Sequence, residues 1–357
     1  MTQLENIRHA WFVALAIVCL GAGARAQQPT DRVQQALDMT ALRDEAIAIL
    51  LDASRSANPA LRSNAIEAMQ MLPDRARPLV QRGLADPNPA VRFAAAVTAG
   101  MLEFDSLAAG VRPLVDDANP SVRAAAIYSL HKLGEPIDLT PLAQMLASQD
   151  PGLRSNVALI LGLMGDASAI PMLAQAGQRP MPRVGEQRVA VVRIQIAEAM
   201  AKLGDEGALV SLRAGAHSSI GEVRVVAINA IGALGDEKGA AMLQVLLERQ
   251  PVEVRLAATG ALARVARKQQ FEQQSMGQWL SQMQDKARPM VLTQSRSETQ
   301  AHRSQAAWVL GWFDDAQTLS RIRQMMTAEA GPPRVAAAAS GLRRALRALE
   351  RSGRPGS

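Results

Sequence analysis

The sequence predicts an all-α protein, an α-α superhelix of about nine helix pairs with a period of about 31 residues. Three observations predict it. Arginine recurs at Arg62, Arg92, Arg123, Arg154, Arg193, Arg224, Arg255, Arg303 and Arg334, with spacings of 30, 31, 31, 39, 31, 31, 48 and 31 residues. A period that short holds one helix pair, whose apolar face stays bare until neighbouring pairs cover it. Apolar residues then fall at helical spacing, as in Val223, Ala227, Ile231 and Leu234, so one stripe of each helix is buried. Finally, aromatic residues make up only 3% of the sequence, alanine and leucine dominate, and valine and isoleucine form no alternating runs, which argues against a sheet.

The first 26 residues stand apart from the array. Arg8 precedes an apolar run from Ala10 to Leu20, and Ala24-Arg25-Ala26 places small residues where a signal peptidase reads them. Residues 1–26 therefore read as a secretory signal peptide, with the mature protein starting at Gln27. The run is short for a span of about 20 residues, so no membrane span is expected in the mature protein. Cys19 is the only cysteine; after cleavage no disulfide or thiol chemistry is left. Residues 27–351 read as one solenoid, because the period crosses the centre without a linker, and residues 352–357 as a disordered tail.

Helix starts and stops recur with the arginines. Asn58-Pro59, Asn88-Pro89, Asn119-Pro120 and Asp150-Pro151 offer an N-cap oxygen followed by a proline at the first helical position, where its missing N–H costs nothing. Ser219 with Glu222 and Ser297 with Gln300 have the spacing of capping boxes. Eleven residues after four of the arginines come Gly134, Gly165, Gly204 and Gly235, suited to left-handed C-caps, each followed by an acidic residue able to open the next helix. The remaining glycines fit caps and close helix packing. Two intervals are long: about eight extra residues fall around Arg179 to Glu186 and about seventeen between Ala266 and Arg303. Both insertions are expected to project from one edge. Nine layers at roughly 9 to 10 Å each predict a rod or arc of about 80 to 90 Å.

This pattern resembles the short HEAT-like repeats also found in the phycobilisome-lyase family, over nearly everything from Asp31 to Arg351. The resemblance implies a HEAT/armadillo-like solenoid used as an interaction surface, and leaves a bilin-lyase-like enzyme or chaperone as an alternative. The residues themselves point to no enzyme, cofactor or metal. His131, His217 and His302 are dispersed, and neither a nucleophile elbow nor a phosphate loop occurs. Asp116-Asp117 and Asp314-Asp315 lie at inter-helix turns and read as caps.

Net charge is +6 and 34 of the 39 basic residues are arginine, which raises nucleic-acid binding as a second alternative. The signal peptide and the lack of aromatic residues interleaved with basic ones argue against it. The tail arginines Arg343, Arg344, Arg347 and Arg351 read as complements to the dipole of a last helix. The nine repeated arginines read as a structural ladder: each guanidinium, one turn into a second helix, bonds turn carbonyls and the side chain of its own or the adjoining unit.

Helix phase assigns the concave face. With positions three, seven and ten after each arginine in the core, positions one, five and nine face the opposite way. Phe93, Val97, Tyr128, Leu159, Leu163, Ile194, Val225, Leu256, Trp308 and Trp312 occupy that row. As an exposed apolar set they predict a groove for a protein or peptide partner. The sequence thus describes an exported, periplasmic, non-catalytic scaffold or adaptor.

Overall fold

The structure is a computed structural model that describes residues 29–268 and 283–352; the predicted signal peptide and all but the first residue of the predicted tail lie outside the described residues. Among the described residues eighteen α-helices run in order as α1 Pro29–Ala53, α2 Pro59–Met69, α3 Pro73–Gly83, α4 Pro89–Met101, α5 Ala108–Val111, α6 Pro120–Lys132, α7 Thr140–Leu146, α8 Pro151–Met164, α9 Ile170–Gln178, α10 Glu186–Lys202, α11 Glu206–Gly215, α12 Gly221–Leu234, α13 Glu237–Val245, α14 Val252–Lys268, α15 Arg288–Gln294, α16 Gln300–Leu310, α17 Ala316–Ala328 and α18 Gly331–Ser352. There is no strand among the described residues. Each even-numbered helix contains one of the repeated arginines.

Local chemistry sets the helix ends. Asn58 and Asn88 accept from the backbone N–H of Ala60 and Ala90, Asn119 from Ser121 and Val122, and Asp150 from Gly152 and Leu153, so the N-caps meet otherwise unpaired donors. Gly134, Gly165, Gly204 and Gly235 have φ between 73° and 98°. Glu103 takes the same place after Arg92 with φ 50°, a conformation that costs a residue with a Cβ about 1 to 2 kcal/mol. The two expected capping boxes do not form. Ile220 and Thr299 are the N-cap residues instead, and Ser218 Oγ and Ser297 Oγ accept from the N–H of Ile220 and Thr299. A hydroxyl two residues ahead of the cap closes the turn before Ser219 can do so.

Consecutive even-numbered helices pack on one another as an inner layer, with the odd-numbered helices outside. The predicted rod or arc closes on itself: the last inner helix, α18, packs on the first, α2, and α1 lies along α18 as though it opened a tenth unit. Leu42, 1% exposed, approaches Gly341, and Arg323 Nη2 donates to the Asp38 carbonyl at 3.3 Å. The array is a closed ring.

Glycines eight residues after the repeated arginines explain much of the curvature. A Cβ on Gly100 would stand 2.8 Å from Ser129 Cα, one on Gly162 3.1 Å from Ala199 Cα, one on Gly232 2.5 Å from Ala261 Cα and one on Gly311 2.9 Å from Ser340 Cα. Neighbouring inner helices therefore approach backbone to backbone. A small wedge angle of one sign at each step turns a stack into a ring. The extra residues at 179–185 join a first helix to its second, whereas those at 269–282 fall between a second helix and the next first helix, outside the described residues. The expectation of one common edge depends on residues 269–282, which lie outside the described residues.

Candidate functional site

The repeated arginines meet turns. Arg62 Nη1 donates to the carbonyl of Ser56, Arg92 Nη1 to Asp86, Arg123 Nη1 to Asp117, Arg154 Nη2 to Ser148 and Arg303 Nη1 to Ser297, at 2.7 to 2.8 Å. Arg193, Arg224, Arg255 and Arg334 reach the carbonyls of Gly177, Ala216, Leu247 and Met326. Three also meet a carboxylate of the following unit: Arg62 with Asp86, Arg92 with Asp117 and Arg303 with Glu329. Arg62 and Arg92 hold the Asp86 and Asp117 carboxyls below the usual range. Each of those aspartates also accepts from the N–H two residues on, so one carboxylate closes its own turn and ties it to the unit before. Arg154 differs. It is buried, meets only carbonyls, and burial followed by the nearby Arg179 lowers its pKa. These guanidinium groups are engaged with the backbone rather than presented to a ligand.

The row at positions one, five and nine faces inward, but much of it is not exposed. Val97, Tyr128, Ile194 and Leu256 are 8%, 2%, 9% and 0% exposed, Phe93, Leu163, Val225, Trp308 and Trp312 are half-buried against the core, and Leu159 is half-buried. The expected exposed groove is corrected accordingly. Glycine-mediated approach of adjacent inner helices closes the seam over these side chains: the place a Gly100 Cβ would take is 2.8 Å from Tyr128 Cε1. Burial, with a smaller contribution from Glu103, pushes the Tyr128 phenol up to about 12.

An open inner wall remains on the other side of the ring. A cavity of about 870 Å³ is walled by α2, α12, α14, α16 and α18. Of the ten residues in the predicted row, only Trp308 and Leu256 line it, Leu256 as a buried edge. Missed by the sequence reading were Glu67, Asn229, Arg264 and Arg343, which line the cavity at positions five, five, nine and nine of the same register. The signal was available, since the same row read for polar residues names all four; collecting only apolar ones hid them. Glu67 is accessible yet enclosed by protein, because it projects into the ring, and that desolvation raises its carboxyl above the usual range.

Around Trp308 and Trp312, whose centroids are 5.9 Å apart at 69°, four arginines gather. Arg264 and Arg343 lie 5.0 and 4.9 Å from the Trp308 centroid, and Arg343, Arg267 and Arg347 lie 4.7, 5.5 and 5.8 Å from that of Trp312. Ring faces stabilise the cations without neutralising them. Burial pushes Arg264 and Arg343 down to about 10. Arg347 and Arg351 pair with Asp314, and Arg344 donates to the carbonyls of Phe313 and Asp315. The tail arginines thus pin α18 to the preceding unit, which corrects their reading as dipole complements. Among the described residues no group of three or more His, Cys, Asp or Glu side chains is placed to hold a metal ion, and no helix is long and apolar enough to cross a membrane.

No curated protein matches this sequence significantly. Similar solved structures include the complex of CpcE and CpcF of phycocyanin lyase from Nostoc sp. PCC7120, at 21% identity and TM-score 0.43 over 67% of this protein and 92% of that one. Human deoxyhypusine hydroxylase in complex with glycerol matches at 17% identity and TM-score 0.34, over 79% of this protein and 98% of that one. Kap121p bound to Pho4p matches at 14% identity and TM-score 0.35, over 83% of this protein and 37% of that one. Overlapping matches to HEAT repeats run over residues 47–110, 79–155, 108–190, 139–220 and 187–263, more than half of the sequence, and the protein belongs to the HEAT-repeat family.

Proposed function

We propose that this protein is an exported, non-catalytic binding protein that holds a protein or peptide partner against the inner wall of its ring. The observation that carries the reading is the cavity of about 870 Å³ between the first inner helix and the last four. Its size is near the top of the range of roughly 300 to 1,000 Å³ for small-molecule sites, so a short peptide segment suits it. Apolar Met71 and Val335 share the wall with the amide side chains of Asn64, Gln70, Asn229 and Gln305. Amides both donate and accept, which matches the alternating N–H and C=O groups of an extended backbone. Export rests on the apolar run from Ala10 to Leu20 and on Ala24-x-Ala26, for which the repeats have no use.

Site-specific photo-crosslinking in the native host tests both parts. A photoreactive residue at Ser304, on the cavity wall, is expected to capture a protein partner, and one at Val245, 70% exposed on the outer layer, is expected not to. Capture at Val245 alone would move the binding surface outside the ring. Intact-mass measurement of the same protein is expected to give a start at Gln27, and retention of residues 1–26 would reject export.

A further inference from the structure

One corner of the cavity carries positive charge without a counter-ion. Arg264 and Arg343 both line the cavity beside Trp308. Neither forms an ion pair with a carboxylate among the described residues; Glu198, whose charge acts on Arg264, is paired with Lys202, and Asp314 is taken by Arg347 and Arg351. Arg264 Nη2 donates to Asn229 Oδ1 at 3.0 Å, and Arg343 Nη1 to the Trp308 carbonyl at 3.3 Å, both neutral acceptors. Five buried side-chain polar atoms lack a hydrogen-bond partner among the described residues, and three of them, Arg264 Nε, Trp312 Nε1 and Arg347 Nη1, belong to this one cluster. A native fold rarely leaves buried cations and donors so poorly matched. Of these three residues only Arg264 lines the cavity, beside Arg343 and Trp308, so the cavity is the open side from which something else can complete the cluster.

We propose that Arg264, Arg343 and Trp308 form an anion subsite of the cavity that receives a carboxylate of the bound partner. The proposal rests on the peptide-binding reading above and specifies its chemistry. Planar guanidinium groups match a carboxylate fork, and the indole face keeps both groups from collapsing into the core. Phosphate would also be attracted, but the Glu67 carboxylate on the facing α2 wall disfavours a second or third negative charge nearby. A carboxylate on an otherwise neutral peptide fits both walls. It comes from the free C-terminus of a peptide or from a single Asp or Glu side group.

The test uses the mature protein and hexapeptides of alanine and serine, N-acetylated, in three forms: a free C-terminal carboxylate, a C-terminal amide, and an amide with one internal glutamate. Tryptophan fluorescence and calorimetry are read at low salt. The two carboxylate forms are expected to bind at least about tenfold tighter than the neutral amide, with an advantage that shrinks as salt is added. In the double variant Arg264→Gln/Arg343→Gln the ratio of acid to amide affinity is expected to fall to about one. Arg264→Lys/Arg343→Lys keeps the charge and is expected to retain part of the advantage, and thermal melts of both variants verify folding. Equal binding of acid and amide would overturn the subsite and leave the peptide cavity intact. Binding of free propionate, arginine-dependent and without binding of any peptide, would support the subsite and overturn the peptide reading. Binding of no carboxylate at all would overturn the subsite.

Discussion

The two arcs of the inner ring use one register for opposite ends. From α4 to α10 the inward row places Val97, Tyr128 and Ile194 in closed seams between neighbouring helices, with the charged Lys132, Glu198 and Lys202 at other positions of the row. From α12 round to α2 the same positions carry Asn229, Arg264, Trp308, Arg343 and Glu67, and there the ring keeps a cavity. Glycines bring the helices close in both arcs, so backbone approach is not what separates them. The residues at position five differ in polarity: Val97, Tyr128 and Leu159 in α4, α6 and α8 against Asn229 and Glu67 in α12 and α2. Apolar groups gain free energy by collapsing together, at about 25 cal/mol per Å² removed from water, whereas like-charged guanidinium groups resist being pressed together and desolvated. The register decides where a residue points, and its polarity decides whether the place it points to stays open.

The largest test of this contrast is Tyr128→Asp. With the phenol 2% exposed, burying a carboxylate there is expected to cost about 4 kcal/mol or more. Leu234→Asp, at a half-buried position packed on the core, is expected to cost about 2 kcal/mol or less. Denaturant titrations of the two variants rank them, and the opposite order would return Tyr128 to an exposed face. Next comes Gly100→Ala, where the new methyl meets Ser129 Cα and Tyr128. It is expected to cost about 1 to 3 kcal/mol and to loosen the ring. Gly110→Ala, whose Cβ would find only Leu84 Cδ1 at 3.4 Å, is the control expected to lie within about 0.5 kcal/mol of wild type.

Arginine variants sharpen the comparison further. Arg92→Ala orphans the Asp117 carboxylate as well as two turn carbonyls and is expected to cost about 2 kcal/mol at pH 7. Because Arg92 lowers the Asp117 pKa in the folded state, that stabilisation is present above the unfolded carboxylate pKa and is lost as pH falls through the folded one. The Arg92→Ala deficit should therefore shrink in acid. Arg154→Ala removes only bonds to carbonyls, so its deficit is expected to stay level over the same acid range; parallel curves for the two variants would break the distinction. The smallest expected effect is a gain. Glu103→Gly relieves a left-handed backbone at φ 50° and is expected to add about 0.5 kcal/mol after the entropic cost of glycine, read as a small rise in melting temperature.

Helix order was legible because its signals are local. An asparagine or aspartate before proline, an arginine four residues after it and a glycine eleven further on each act within one or two turns, so any one unit can be read alone. Positions eight after the arginines were also written as Gly100, Gly162, Gly232 and Gly311, yet their meaning depends on which backbone lies opposite. The inward row had the right phase and the wrong exposure, for the same reason. Glu67, Arg264 and Arg343 are far apart in sequence and become neighbours of one cavity only after the ring has turned.

By itself, then, the sequence determined an all-helical array, its period, its caps and the side of each inner helix that faces inward, since all of these follow from backbone geometry over a few residues. Tertiary structure decided that α1 and α18 meet, that Tyr128 is sealed while Trp308 lines a cavity, and that Arg264 and Arg343 share one corner without a counter-ion. Closure sums small angles over every step of the stack, and a sum of that kind is fixed by packing between units rather than by any residue within one.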